Sequence, residues 1–142
     1  MKFRLIAVAI AAATFFPVLS NAENIVLICH PSVPVSALTK YEVNNIFLGK
    51  KITWDPQTRI TFAIQKECDA HKRFCLKRLN KTSHQFTNYW REKLFSGKGL
   101  APLILEGDRE MIKFVSNTNG AIGYISEKVA LENVKTIFVK GQ

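Results

Sequence analysis

Apolar and polar positions change period several times along this chain, and each change predicts an element. Asn24 to His30 (NIVLICH) is a continuous apolar run rich in β-branched residues, the pattern of a strand buried on both faces. Pro31 to Ser36 carries two prolines and is therefore read as an extended loop. Thr39 to Glu42 fits a capping box, with Thr39 as N-cap, opening a helix that turns Val43, Ile46 and Phe47 inward and stops at Gly49. A polar loop through Trp54, Asp55 and Pro56 leads to a second strand over 60–64. Asp69 is the expected N-cap of the next helix, with Phe74, Cys75 and Leu79 inward and Lys72, Arg73, Lys77 and Arg78 outward. A further helix starts at Thr82 to Gln85, runs to Phe95 and Ser96, and ends at Gly97. Its Asn88-Tyr89-Trp90 face is expected to cover the sheet. Trp54, Tyr89, Trp90 and Phe95 are read as core or edge packing. Asp108 to Asn117 is another helix, closed by Asn119-Gly120. Strands follow over 121–125 and 136–139, with a helical turn near 126–131 between them. Strands alternating with helices predict parallel pairing in a layered α/β fold.

The amino terminus reads as a targeting segment. Lys2 and Arg4 precede an apolar stretch from Leu5 to Leu19, and Ser20-Asn21-Ala22 supplies the small residues of a cleavage site. Residues 1–22 are thus expected to be a signal peptide and 23–142 one compact domain. Broken by Pro17, the stretch is short for a membrane span, although an uncleaved anchor is the other reading. A lipoprotein fits less well, because Ile28 precedes Cys29 where a small residue is wanted. Export places the product in the periplasm or outside the cell, with no stable membrane span after cleavage. Lys2 and Arg4 leave with the leader and no acid does, so the net charge falls from +9 to +7. That balance favours an anionic partner, or else marks a solvated basic face. Nucleic acid is disfavoured by export and by the lack of a groove-reading or base-stacking motif. An oxidising compartment suggests one disulfide among the three cysteines. Cys68 and Cys75, seven helical positions apart, are separated by roughly 10 Å, too far to bond. Cys29 meets Cys68 only if the first two strands are neighbours, and three buried thiols are the other reading.

Two segments carry a resemblance. Ile46 to Trp54 reads IFLGKKITW, and Asn117 to Ile125 reads NTNGAIGYI. In this order, in an exported chain, they resemble the second lobe of the phosphate-binding proteins of bacterial ABC transporters, where a helix ends in IFxGKIxxW and a later GAIGY opens a central strand. The likeness spans about Thr39 to Ser126. Short one-lobe exported proteins of this type also open with a strand and a Pro-x-x-Pro loop, as at Pro31 to Pro34, and contain FxGK segments, as at Phe47 and Phe95. The resemblance implies a single layered α/β domain with a mostly parallel central sheet flanked by helices, like one lobe of a periplasmic binding protein. It also implies a non-catalytic, solute-binding role toward phosphate or another small anion.

Ligands of such sheets lie outside the carboxyl ends of parallel strands, where helix N-termini offer free N–H groups. Here that place is the stretch between the second strand and its helix. Lys66, Cys68, Asp69, Ala70 and His71 are the candidate binding residues, joined by Ser32 and Ser36 from the first loop. The family's motif there is an arginine followed by Gly-Ser-Gly-Thr. This chain has no Ser-Gly-Thr, and Glu67 and Asp69 place negative charge where an oxyanion would sit, which Lys66, His71 and Lys72 partly offset. The alternative is an envelope interaction module that keeps the lobe but not the ligand, with an envelope or transporter protein as partner. His30, His71 and His84 lack metal-ligand spacing, and nothing pairs histidine with lysine as a small nuclease would need. With no nucleophile elbow, paired carboxylates or cofactor fingerprint, neither enzyme, metal nor cofactor is expected.

Overall fold

The computed structural model describes residues 24–126 and 131–141. Eight strands and four helices follow one another as β1 (Ile25–Cys29), β2 (Ala37–Thr39), α1 (Lys40–Phe47), β3 (Thr53–Asp55), β4 (Thr58–Arg59), β5 (Thr61–Gln65), α2 (Asp69–Leu79), α3 (Ser83–Phe95), β6 (Leu103–Leu105), α4 (Asp108–Asn117), β7 (Ala121–Ser126) and β8 (Lys135–Lys140). The leader expected over 1–22 lies outside the described residues, as does most of the turn expected over 126–131.

Six strands form one sheet in the order β2-β8-β1-β7-β5-β6. β5 pairs parallel with both β6 and β7, and β2 pairs parallel with β8. β1 runs antiparallel to β7 and β8. Five strands therefore share a direction and one opposes them, which is the mostly parallel sheet that was expected, with β1 as its exception. Physically, β1 has no helix to return its chain across the sheet. It leaves through the two-proline loop, which steps to the sheet edge at β2. β2 and β6, three residues each, carried too little period to be read as strands. The segment through Trp54 and Asp55 is a small β3–β4 hairpin rather than a plain loop. Asp55 Oδ1 closes it, accepting the N–H groups of Gln57 and Thr58.

Helices cover both faces. On one, α1, α2 and α3 bury Phe47, Phe74, Phe86 and Trp90 against Ile25, Leu27, Ile122 and Tyr124. On the other, α4 lays Met111 and Val115 over Ile28, Ala63, Ala121 and Ile125. β7 serves both layers by alternation, and all of Ala121 to Ile125 is buried. Gly123 is where α4 presses closest, since a Cβ there would lie 2.3 Å from Met111 Sδ.

The expected capping box of Thr39 with Glu42 is present, and the structure adds a second, Thr82 with Gln85. α2 differs from expectation. Cys68 takes the cap position without a side-chain hydrogen bond, and Asp69 is the first helical residue. Arg78 is buried rather than outward and donates through Nη2 to Ile25 O at 3.0 Å. Phe95, expected in the packing, is 87% exposed at the last position of α3.

Candidate functional site at the carboxyl edge of the sheet

The five co-directional strands end on one edge, and three of them feed helices there: β2 into α1, β5 into α2 and β6 into α4. Between β5 and α2 lie Lys66, Glu67 and Cys68. No side chain caps α2, so the N–H groups of its first turn face outward with the positive end of its dipole. Lys66 reaches Glu106 at 3.8 Å across the edge. Glu67 accepts from Ser83 Oγ at 2.8 Å and lies 4.0 Å from Lys72 Nζ. Its carboxylate is thereby tied to the start of α3. Cys68 and Asp69 are exposed, and Ala70 is half-buried.

His71 points the other way. It is 2% exposed, with Nδ1 2.5 Å from Tyr124 Oη. The Tyr124 hydroxyl already accepts the Gln65 N–H at 2.9 Å, which leaves its own proton for His71 Nδ1. Burial lowers the His71 pKa, opposed in part by the Glu67 charge. The imidazole is therefore neutral at pH 7 and brings no positive charge to the edge, contrary to the expected offset. Burial likewise drives the Tyr124 hydroxyl far up its scale and keeps it protonated.

Ser32 and Ser36 do not join this group. β1 opposes the other strands, so the loop that follows it emerges at the amino edge. Ser32 Oγ there accepts the Gly120 N–H at 3.2 Å and contacts His30 Nδ1 at 2.7 Å. Ser36 lies on the far side of the sheet, where its carbonyl accepts from Phe138 N–H beside β2. The pairing of Cys29 with Cys68 fails for the same reason: β7 separates β1 from β5, and all three cysteines are free. Cys29 and Cys75 are buried, as the thiol reading had it, while Cys68 is not.

A second polar group at this edge escaped the sequence. Gln65 Nε2 donates to Asp108 Oδ1 at 2.7 Å and to Tyr124 O at 3.0 Å. Asp108 also accepts from Ser126 N–H and from Ser126 Oγ at 2.5 Å. One carboxylate thus ties the start of α4 to the ends of β5 and β7 and holds the edge rigid. Its only trace in the sequence is a glutamine closing an apolar strand.

The two motif segments behind the resemblance meet. Trp54 Nε1 donates to Gly120 O at 2.9 Å, and Phe47 lies 6.3 Å from the Tyr124 ring. They hold the lobe together, and Tyr124 of the second segment reaches the candidate site through Gln65 and His71.

This architecture is a single layered α/β domain with a mostly parallel sheet and helices on both faces. Compared by sequence, the chain matches no protein-family model and no curated protein. Compared by structure, it is similar to PstS from Borrelia burgdorferi, with a TM-score of 0.67 and 17% identity over 84% of this chain and 48% of that one. It is also similar to a putative phosphate ABC transporter substrate-binding protein with bound phosphate from Clostridium perfringens, with a TM-score of 0.66, 20% identity, and 84% and 46% coverage. An ABC-type phosphate transport receptor from Vibrio cholerae gives a TM-score of 0.57, 16% identity, and 84% and 48% coverage. The chain therefore has the fold of one lobe of phosphate-transporter substrate-binding proteins and spans about half the length of those it matches.

Proposed function

We propose that this protein is an exported, non-catalytic, solute-binding-type module that holds phosphate or another small anion at the start of α2. The observation that carries the reading is the uncapped N-terminus of α2 at the carboxyl edge, beside Lys66 and Lys72, in a lobe whose structural relatives include a phosphate-bound protein. Backbone N–H groups at Asp69, Ala70 and His71 supply donors, and the helix dipole supplies the attraction. The bond from Ser83 and the nearby Lys72 draw Glu67 aside, leaving Asp69 as the charge that opposes the ligand. Ser32 and Ser36 have no part in it. Donors from this one lobe alone hold the anion weakly, at micromolar affinity or weaker. Among the described residues no helix is long and apolar enough to cross a membrane. Calorimetric titration of the purified protein with phosphate, sulfate and phosphonates tests the proposal. Saturable heat with phosphate supports it. Absence of heat at millimolar anion removes it and leaves the interaction-module reading in its place.

A further inference from the structure

β6 is one edge of the six-stranded sheet, and among the described residues no strand pairs with its outer side. Lys66 N–H donates to Leu105 O at 2.8 Å, so Leu105, and Leu103 two residues before it, turn their backbone groups toward β5. By alternation the N–H and C=O of Ile104 face outward. The Ile104 side chain meanwhile lines a groove of about 240 Å³ between β6 and α3, floored by Ile64, Phe86 and Trp90 and walled by Arg91 and Leu94. Around it Phe95 and Leu100 are each 87% exposed and Ile104 59%.

An apolar groove running beside an open strand edge has the shape that takes an added strand. Main-chain bonds form along the edge, and alternate side chains drop into the groove. Charge selects the occupant. Arg91 is the single charged residue lining the groove and forms no ion pair among the described residues. Lys98 follows on the adjoining loop. A second copy of this chain, itself at +9, would set Arg91 and Lys98 against their own equivalents. An acidic strand would instead meet a carboxylate-binding guanidinium.

We propose that the β6 edge docks an extended, acidic, β-branched segment of a partner protein. The segment adds as a seventh strand on Ile104, places its apolar residues in the α3–β6 groove and sets a carboxylate on Arg91. This surface is separate from the anion site and does not depend on it.

The probe is a capped heptapeptide alternating valine with aspartate and threonine. Its counterparts carry lysine for aspartate or an N-methylated backbone. Binding is followed by amide and indole NMR shifts in the purified protein. The acidic peptide is expected to shift the Ile104 amide and Trp90 indole saturably, with the lysine peptide at least tenfold weaker and the N-methylated one inactive. Ile104→Pro removes the outward N–H together with the side chain that lines the groove, at an edge position that tolerates proline, and should abolish binding. Arg91→Glu lies on an exposed helix face and should reverse the charge preference, which decides the matter if the proline variant fails to fold. Equal binding of acidic and basic peptides, no shift at millimolar peptide, or an unchanged preference in Arg91→Glu overturns the proposal. Concentration-dependent dimers that Ile104→Pro dissolves would assign the edge to a second copy instead.

Discussion

His71 shows how one residue's burial decides its chemistry. Its imidazole sits between Tyr124, 6.2 Å away and nearly parallel, and Phe86 at 5.7 Å. The fold holds it neutral, with its pKa below the ordinary 6.5. The unfolded chain takes up the proton first as pH falls, so the stability from this site is complete above pH 6.5 and declines below it. Urea denaturation at pH 7.5 and pH 5.5 should show that loss, and His71→Gln should flatten this part of the slope; equal slopes would contradict the assignment. The cysteines give a second residue-scale test. Burial raises Cys29 to about 11 and Cys75 to about 12, whereas Cys68 is exposed. A thiol reagent at pH 8 should label one cysteine in the native protein and three in denaturant. Rapid labelling of two would show that a buried thiol is open to solvent. Gly120 is bound by geometry: φ is +71°, and a Cβ there would lie 2.1 Å from Arg59 O, a backbone atom that cannot swing aside. Gly120→Val should cost at least about 2 kcal/mol. A melting temperature equal to wild type would refute this.

At the scale of elements, local signals and tertiary contacts share the work of ending and starting helices. α1 and α3 begin on reciprocal capping boxes, so Thr39→Ala and Thr82→Ala should each lower stability by about 1 kcal/mol in denaturant titrations. Losses near zero would mean that water replaces the cap. The end of α1 needs another element. Tyr89 Oη donates to Leu48 O at 2.7 Å, Trp90 Nε1 to Phe47 O at 3.1 Å and Lys93 Nζ to Leu48 O at 2.8 Å. α3 thus satisfies carbonyls that α1 leaves open, and its aromatic face serves as packing and as cap together. That face was legible as sheet cover, but its partner at α1 was not, because carbonyl acceptors carry no side-chain signature.

For the whole molecule, the proposed anion site rests on the wall that this chain supplies, and the chain spans about half the length of the proteins whose fold it shares. In that proposal Asp69 is the residue that sets affinity. Placed at the first helical position, it favours the α2 dipole and repels an anion at the same N–H groups. Asp69→Ser should raise phosphate affinity about tenfold, the equivalent of about 1.4 kcal/mol, while slightly lowering the stability of the free protein. Calorimetry on the two proteins checks this. A variant that binds phosphate no better than wild type would show that the start of α2 is not where the anion sits.

The chain by itself determined its layered α/β character, the positions of the four helices among the described residues, the Thr39 capping box and the burial of β7. These follow from period and from side chains acting within a few residues. It also placed the start of α2 directly after a strand, which the structure sets at the carboxyl edge of the sheet. The tertiary structure alone decided that β1 runs against its neighbours, and that single reversal sent Ser32 to the opposite edge and kept Cys29 from Cys68. It turned His71 and Arg78 inward and drew Gln65, Asp108, Tyr124 and Ser126 into one polar cluster. It made β6 an open edge with Phe95 in solvent. Strand direction, edge position and the partners of a buried polar group are properties of pairing between distant segments, and no local period encodes them.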